Sequence, residues 1–469
     1  MSSRSTDDTV GSLSHPLALL LVLMLAAAPR FAWYLSHQPD LPPDSYGYLN
    51  VAREWRGERA PAGAWDDRSQ LPWDNQATRT PGYALFLDLV FAASGHSPTP
   101  EAALVAPRRI LVPGTDVREH HFKHLQTDEN VRAVQAAQHI LAVAATGIAF
   151  LTMFLWNGSA LAGVVGSLVA IGWNPVWIVT YEPSVMGEIL SGALLVVAVW
   201  LVSIRPASVV REHVAAATCG LAVIVRPAMQ FASLPILAYL VWRRRHDPLA
   251  ASSVLVAPAF VLALLFANNG LRYGYWGVTS VAGATLLSHA SEHPEGLRDP
   301  VRQPAEQFRG DVFGGQPLQY VLSVKGHRRY LDAAGEINRA ALWFIVDHPR
   351  WYFASVASAV GDFFSPPLQL VPGSVNVVRN RFPLVWHALS ACAVLLMLAG
   401  FAALLVRVPA PAKLGPAVFL VSAIGTALMA NTENGRFAAP LVPFVLMSGV
   451  TVLHQVSQRS VGRQPADPR

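Results

Sequence analysis

The chain has 469 residues, of which 52% are hydrophobic and only 14% are Asp, Glu, Lys or Arg. Soluble globular proteins carry about 25% charged residues, so this chain lacks the charge to cover a soluble fold of its length, and the composition points to an integral membrane protein. Lys+Arg 35 against Asp+Glu 30 leaves +5, too mild for a nucleic-acid surface, and 2 Cys with 35 Pro and 33 Gly in no period exclude a disulfide scaffold and a collagen-like chain.

A hydrocarbon core of about 30 Å takes roughly 20 apolar residues of helix. Runs of that order predict spans at 15–36, 131–156, 159–180 and 184–204, and further on at 249–267, 384–407, 415–431 and 437–456. The first is not a signal peptide, because Arg30 and Trp33-Tyr34 follow it without a small-residue cleavage site. The run 213–242 is too long for one span and is broken at Arg226-Pro227, which predicts two short helices meeting there. The expectation is an all-α, polytopic membrane helix bundle of about 10–11 spans, with 1–469 a single integral membrane domain.

The segment 81–94 is short for a span and contains Asp88, which suits a helix lying at the membrane interface. If it does not span and the N-terminus is cytoplasmic, the basic stretches 205–213, 243–246, 407–413 and 459–469 all fall inside. If it spans, they fall outside. The positive-inside rule selects the first arrangement: a bacterial cytoplasmic (inner) membrane protein with both termini cytoplasmic. Two long segments, 37–130 and 268–383, then face outward. A surface-lying helix is expected over 338–353, where Trp343, Phe344, Trp351 and Tyr352 mix with His348 and Arg350.

With this orientation, Asp44, Glu182, Glu188, Arg226, Asn268, Asn269, Glu433 and Arg436 all map to the outer half of the membrane. Charges at such depth are costly and tend to face a cavity or pathway. Singly, each has a plainer reading. Asp44 after two prolines suits a helix N-cap, Glu188 and Arg226 can pair inside the bundle, and Arg436 can snorkel from a helix end. None of these explains the clustering on one side. The spacing Asp44, Tyr48, Val51, Trp55 places those residues on one helical face.

Other constellations are weaker. Glu119-His120-His121-x-x-His124 holds two histidines at i and i+4, but no third ligand completes a metal set and a polar loop is the favoured reading. Asn157-Gly158-Ser159 matches a glycosylation sequon on the inner side, where it has no meaning. Lys123, Lys325 and Lys413 are the only lysines, so positive charge is nearly all arginine; arginine is the better bidentate phosphate ligand, but a GC-rich genome is the favoured reading of the bias.

The order of short motifs resembles the GT-C superfamily of membrane glycosyltransferases, nearest the protein O-mannosyltransferase and lipid A aminoarabinose transferase branch. The matching pieces begin with Pro43-Asp44-Ser45-Tyr46-Gly47-Tyr48 after the first span and Arg79-Thr80-Pro81-Gly82-Tyr83 in the first outer loop. They continue with Met186-Gly187-Glu188 opening a span, Val225-Arg226-Pro227 at the break, and Asn269 with Gly274-Tyr275-Trp276-Gly277. Glu433-Asn434-Gly435-Arg436-Phe437 completes the series.

The resemblance implies membrane-lying helices in the first outer loop. It implies transfer of a sugar from a polyprenyl-phosphate donor to a lipid, glycan or protein acceptor on the outer, cell-envelope side. Asp44 takes the catalytic role, and Arg79, Arg226 and Arg436 hold the donor phosphate. Tyr48, Glu182, Glu188, Asn269 and Glu433 support the cavity. Displacement with one carboxylate as base inverts the anomeric carbon. No cofactor is required, and a divalent metal is possible but not indicated. The chain departs from several relatives in following Asp44 with Ser45 rather than a second acid, and in lacking a sizeable soluble C-terminal domain. The alternative is a secondary transporter or flippase for a lipid or sugar, which predicts ionisable groups near the midplane and repeat symmetry. The sequence displays neither.

Overall fold

A computed structural model describes residues 7–37, 39, 43–56, 80–96, 129–279, 282–291, 293–299, 301–302, 330–364, 383–430 and 434–460. Regular structure among them is helical, with no strand. In chain order the helices are α1 (Asp7–Ser36), α2 (Pro43–Trp55), α3 (Pro81–Ser94), α4 (Glu129–Asn157), α5 (Ala160–Ser167) and α6 (Glu188–Ser203). Next come α7 (Val209–Val225), α8 (Met229–Arg243), α9 (Pro248–Ser253), α10 (Val256–Tyr273) and α11 (Ala282–Leu287). The last are α12 (Tyr330–Asp347), α13 (Pro349–Phe364), α14 (Pro383–Ala402), α15 (Leu414–Met429), α16 (Asn434–Ala438) and α17 (Val442–Ser460).

Each of the ten predicted spans contains helix. Among the described residues, five segments are long and apolar enough to cross a membrane by themselves: His15–Ser36, Val131–Asn157, Ala160–Tyr181, Pro248–Leu271 and Ala410–Met429. The outward faces match lipid rather than water. On α1, Val22, Ala26 and Arg30 are buried on one stripe, while Leu17, Leu20, Leu21, Met24 and Phe31 are exposed. α10 and α14 likewise expose Phe260, Leu264, Leu395 and Leu398. An apolar outer surface of this kind belongs to a membrane bundle.

Inside, small residues bring backbones together, as membrane helix packing favours. A methyl group on Gly400 of α14 would meet the Val445 carbonyl of α17, and one on Gly449 of α17 would meet the Leu396 carbonyl of α14.

Several boundaries differ from expectation, and three of the differences have a plain local cause. α10 continues past 267 to Tyr273 and stops where Gly274 turns left-handed (φ 71°). The single helix expected over 338–353 is two, α12 and α13, because Pro349 disfavours helical backbone at His348. The expected span 159–180 is not one continuous α-helix. Pro175 has no N–H to donate, so α5 widens into a π-helical turn at Leu168–Gly172, and a second one follows at Trp177–Tyr181. Asn174 restarts the chain, its side-chain oxygen accepting from the Val176 N–H at 3.0 Å.

α11, α12 and α13 share a separate apolar cluster around Leu287, Leu297, Ile337 and Phe344. Trp351 is sandwiched between His293 (centroids 4.5 Å apart) and His348 (4.4 Å). Tyr352 donates to the Leu428 carbonyl at 2.7 Å and ties this unit to α15. Here His289 is buried, its Nδ1 is 2.9 Å from Ser355 Oγ, and burial pushes its pKa down from 6.5 to about 4 against the raising effect of a backbone bond at Ala427. The unfolded chain therefore binds the proton more readily. The unit's stability should be full above pH 6.5 and decline as pH falls toward about 4. Hydrogen exchange across 330–364 should show that slope, and His289→Gln should flatten it.

Candidate active site

The Pro175 break leaves backbone carbonyls without helical partners, and an arginine fills the gap. Arg30, on the buried stripe of α1, donates through Nη1 to the Ala26 and Gly172 carbonyls (2.9 and 2.7 Å) and through Nη2 to Ile171 (3.1 Å). Its Nε and Nη2 also reach both oxygens of Glu182 at 2.8 and 2.7 Å. All five guanidinium N–H groups are thus used. His139 Nδ1 lies 2.6 Å from Glu182 Oε2. Gln138, its neighbour on α4, donates to the Glu182 and Ser184 carbonyls at 3.0 and 2.7 Å. Glu182 is therefore a fully buried structural anchor, not the open cavity group that the sequence suggests.

Tyr83 of α3 extends this network, donating to Gln138 Oε1 at 3.1 Å. Burial first, then the charges of Glu188 and Tyr48, hold its phenol well above the usual range, so it stays a neutral donor. The Tyr48 ring packs edge-on against it at 5.0 Å, in an apolar cluster with Leu87, Phe91 and Val185.

The second charged group sits where α6 begins and α7 ends. Pro227 forces Arg226 out of helix into extended backbone (φ −148°, ψ 113°). Its guanidinium pairs with Glu188 Oε1 in the first turn of α6, and Arg436 Nε from α16 donates to the same oxygen at 2.6 Å. Phe437 lies under the Arg226 guanidinium, 4.9 Å away. Three residues scattered across the sequence thus meet as one carboxylate and two arginines. Arg226 and Glu188 are buried, and Arg436 keeps partial access to solvent.

The first-loop helices dock on this group by backbone contacts. Ser45 of α2 donates to the Val185 carbonyl at 2.9 Å, and Thr80 before α3 donates to the Val225 carbonyl at 3.1 Å. Gly82 lies flat against the break, and an added methyl group would sit 2.8 Å from the Val225 nitrogen and 2.9 Å from the Ile224 carbonyl. Gly82→Ala should push α3 off the Arg226 turn. Because small misplacements of catalytic groups cost about 10²-fold in rate, any group-transfer activity should fall by that order while expression persists. Arg56 clamps the far end of the pair, donating to Asp88 Oδ1 at 2.5 Å and to the Asp88 carbonyl at 2.9 Å. This pairing accounts for the charge in an otherwise apolar α3.

Asp44 occupies the first turn of α2, one residue before Ser45. Arg79, Glu433 and the histidines at 120, 121 and 124 lie outside the described residues. Asn269 is buried at the end of α10 and donates to the Gly277 carbonyl at 2.8 Å, closing its own turn rather than joining the arginine pair. Arg30 and His139 are absent from the sequence-based site. The signal available for them was Pro175 inside an apolar run, since freed carbonyls require a donor.

No protein-family model matches the chain, and no curated protein matches it. Among solved structures it is similar to ArnT from Cupriavidus metallidurans bound to undecaprenyl phosphate, at 14% identity over 94% of this chain and 79% of that chain, with a TM-score of 0.35. The same protein in the apo state gives a TM-score of 0.34. The archaeal oligosaccharyltransferase AglB from Archaeoglobus fulgidus, in complex with an inhibitory peptide and a dolichol-phosphate, matches at 13% identity and a TM-score of 0.45. That match covers 97% of this chain and 53% of AglB, so the chain spans about half of AglB's length.

Proposed function

We propose that this chain is a membrane glycosyltransferase that moves a sugar from a polyprenyl-phosphate donor to an acceptor at the outer side of the bacterial cytoplasmic membrane. The observation that carries the reading is the meeting of Arg226, Arg436 and Glu188 at one end of the bundle, with α2 and α3 docked onto the same turns through Ser45 and Thr80. Asp44 and Arg79 are the chain neighbours of those two docking residues.

The chemistry needs a lipid-accessible donor, a stabilised leaving phosphate and an acceptor freed of its proton. Arg226 and Arg436, assisted by Arg79, supply charge-assisted bonds to the phosphate, and exclusion of water strengthens them. Asp44 takes the proton from an acceptor hydroxyl, and the single displacement inverts the anomeric carbon. Glu182 acts at a distance, through Arg30, by holding the loop that delivers Glu188. The outward assignment of this end is supported by Arg243 and Arg244, which pair with Glu212 at the opposite end of α7 and α8 and belong to the basic stretches of the inner side. Transport through a midplane site is the less favoured reading, because the described buried charges gather at the two ends of the bundle.

The test is genetic and chemical. Mass spectrometry of cell-envelope glycans from a deletion strain should show loss of one sugar modification, restored by the wild-type gene and not by Asp44→Asn. An unchanged glycan profile on deletion would remove the proposal.

A further inference from the structure

Two glutamines stand one turn apart on α4 and are used very differently. Gln138 is fully engaged: its Nε2 donates to the Glu182 and Ser184 carbonyls, and its Oε1 accepts from Tyr83. Gln135 is as deeply buried, at 1% exposure, yet neither its Oε1 nor its Nε2 has a hydrogen-bond partner among the described residues. Within that set it is the only side chain that leaves both a buried donor and a buried acceptor unfilled. Burying an amide in that state is costly, so the position needs a reason.

A further unfilled atom shares its face. His139, one turn along α4, is buried; its Nδ1 meets Glu182 Oε2 at 2.6 Å, and its Nε2 has no described partner. That carboxylate oxygen already accepts from Arg30, so Nδ1 carries the proton and the lone pair of the neutral ring falls on Nε2. The place is a seam between helices. Val131 and Val134 pack in one apolar cluster with Tyr48, Leu49 and Ala52 of α2. On the adjoining face, Arg132 lies 5.5 Å from the Tyr34 ring centroid of α1, and the His139 ring lies 6.3 Å from the same ring. At about 100° per residue, Gln135 falls between those two faces, where α1 and α2 adjoin.

The unfilled set is one amide donor, one amide acceptor and one imidazole acceptor. A phosphate or carboxylate brings acceptors only, and a metal cation brings none, so neither completes it. Hydroxyl groups donate and accept at once, and two on adjacent carbons can serve both atoms of one amide. We infer that Gln135 and His139 form a subsite for the hydroxyl groups of a sugar, at the joint of α1 and α2. This rests on the reading of the chain as a sugar transferase. The sugar belongs either to the donor or to an acceptor glycan.

The experiment joins melting curves to calorimetric binding, with the purified full chain in detergent. Gln135→Leu removes unfilled atoms and should melt at or above the wild-type temperature, whereas Gln138→Leu breaks bonds to Glu182, Ser184 and Tyr83 and should melt lower. The binding probes are citronellyl phosphate, its glucose, mannose, galactose and arabinose esters, and the methyl glycosides of the same sugars. Wild type should bind one ester about tenfold more tightly than citronellyl phosphate if the sugar is the donor's, or bind a methyl glycoside if it is the acceptor's. Gln135→Leu should lose that gain and bind citronellyl phosphate unchanged. Gln135→Asn, which withdraws the amide by one methylene, should keep part of the gain. A folded Gln135→Leu that keeps the whole gain, or no gain from any sugar in either arm, would overturn the subsite. A melting temperature that falls as far as that of Gln138→Leu would overturn it too, since Gln135 would then hold the fold. Failure of citronellyl phosphate to bind wild type would instead strike the donor-phosphate reading, and the methyl glycosides would still decide the subsite.

Discussion

Replacing Arg30 by alanine should cost about 3–5 kcal/mol and loosen the end of the bundle that carries the site. Arg30 and Glu182 are both buried, with side chains 2% and 0% exposed, so solvent cannot take over either partner. The substitution strands the Glu182 carboxylate beside His139, and it removes the arginine donor of the Gly172 and Ile171 carbonyls at the Pro175 break, Ile171 keeping the Asn174 N–H. Arg30→Met keeps the volume and should be almost as damaging, since the loss is of charge and donors rather than packing. Arg30→Met combined with Glu182→Leu should recover part of the loss, because removing both charges costs less than orphaning one. Thermal unfolding in detergent checks this. A melting temperature unchanged in Arg30→Ala would mean that the network does not hold the break together.

The second large effect concerns Arg226. Arg226→Gln should lower sugar transfer by about 10²–10³-fold, the usual cost of losing one charge-stabilising group in a dry site. Folding should persist, because Arg436 still pairs with Glu188. Arg226→Lys should recover only part of the activity: an ammonium keeps the charge but loses the planar fork and the stacking on Phe437. Transfer rates at saturating donor, measured beside melting curves, separate the two effects. Full activity in the glutamine variant would exclude Arg226 from the phosphate site.

These residues also show what local pattern reveals. The spans were legible because apolar runs report burial in lipid directly. The break at Arg226-Pro227 was legible because proline acts on its immediate neighbours. Pro349 acts on His348 by the same local rule, and it divides what the aromatic pattern alone presents as one surface helix. The ion clusters lay beyond local pattern. Arg30 and Glu182 are 152 positions apart, and Arg436 and Glu188 are 248 apart. Sidedness alone grouped Glu182 with Glu188. Their partners separate them, because Arg30 has every donor filled whereas Arg226 retains one free N–H. Asn269 shows the opposite error. A polar residue at the right depth can serve its own helix end without entering the group that the sequence places around it.

The most direct measurement uses the purified chain in lipid vesicles with a radiolabelled polyprenyl-phosphate sugar and envelope extract as acceptor. Wild type should transfer the sugar with release of the polyprenyl phosphate. Asp44→Asn, correctly folded, should transfer about 10²–10⁴-fold more slowly. Transfer by Asp44→Asn at the wild-type rate, or movement of the labelled lipid across the bilayer with no sugar transferred, would contradict this mechanism.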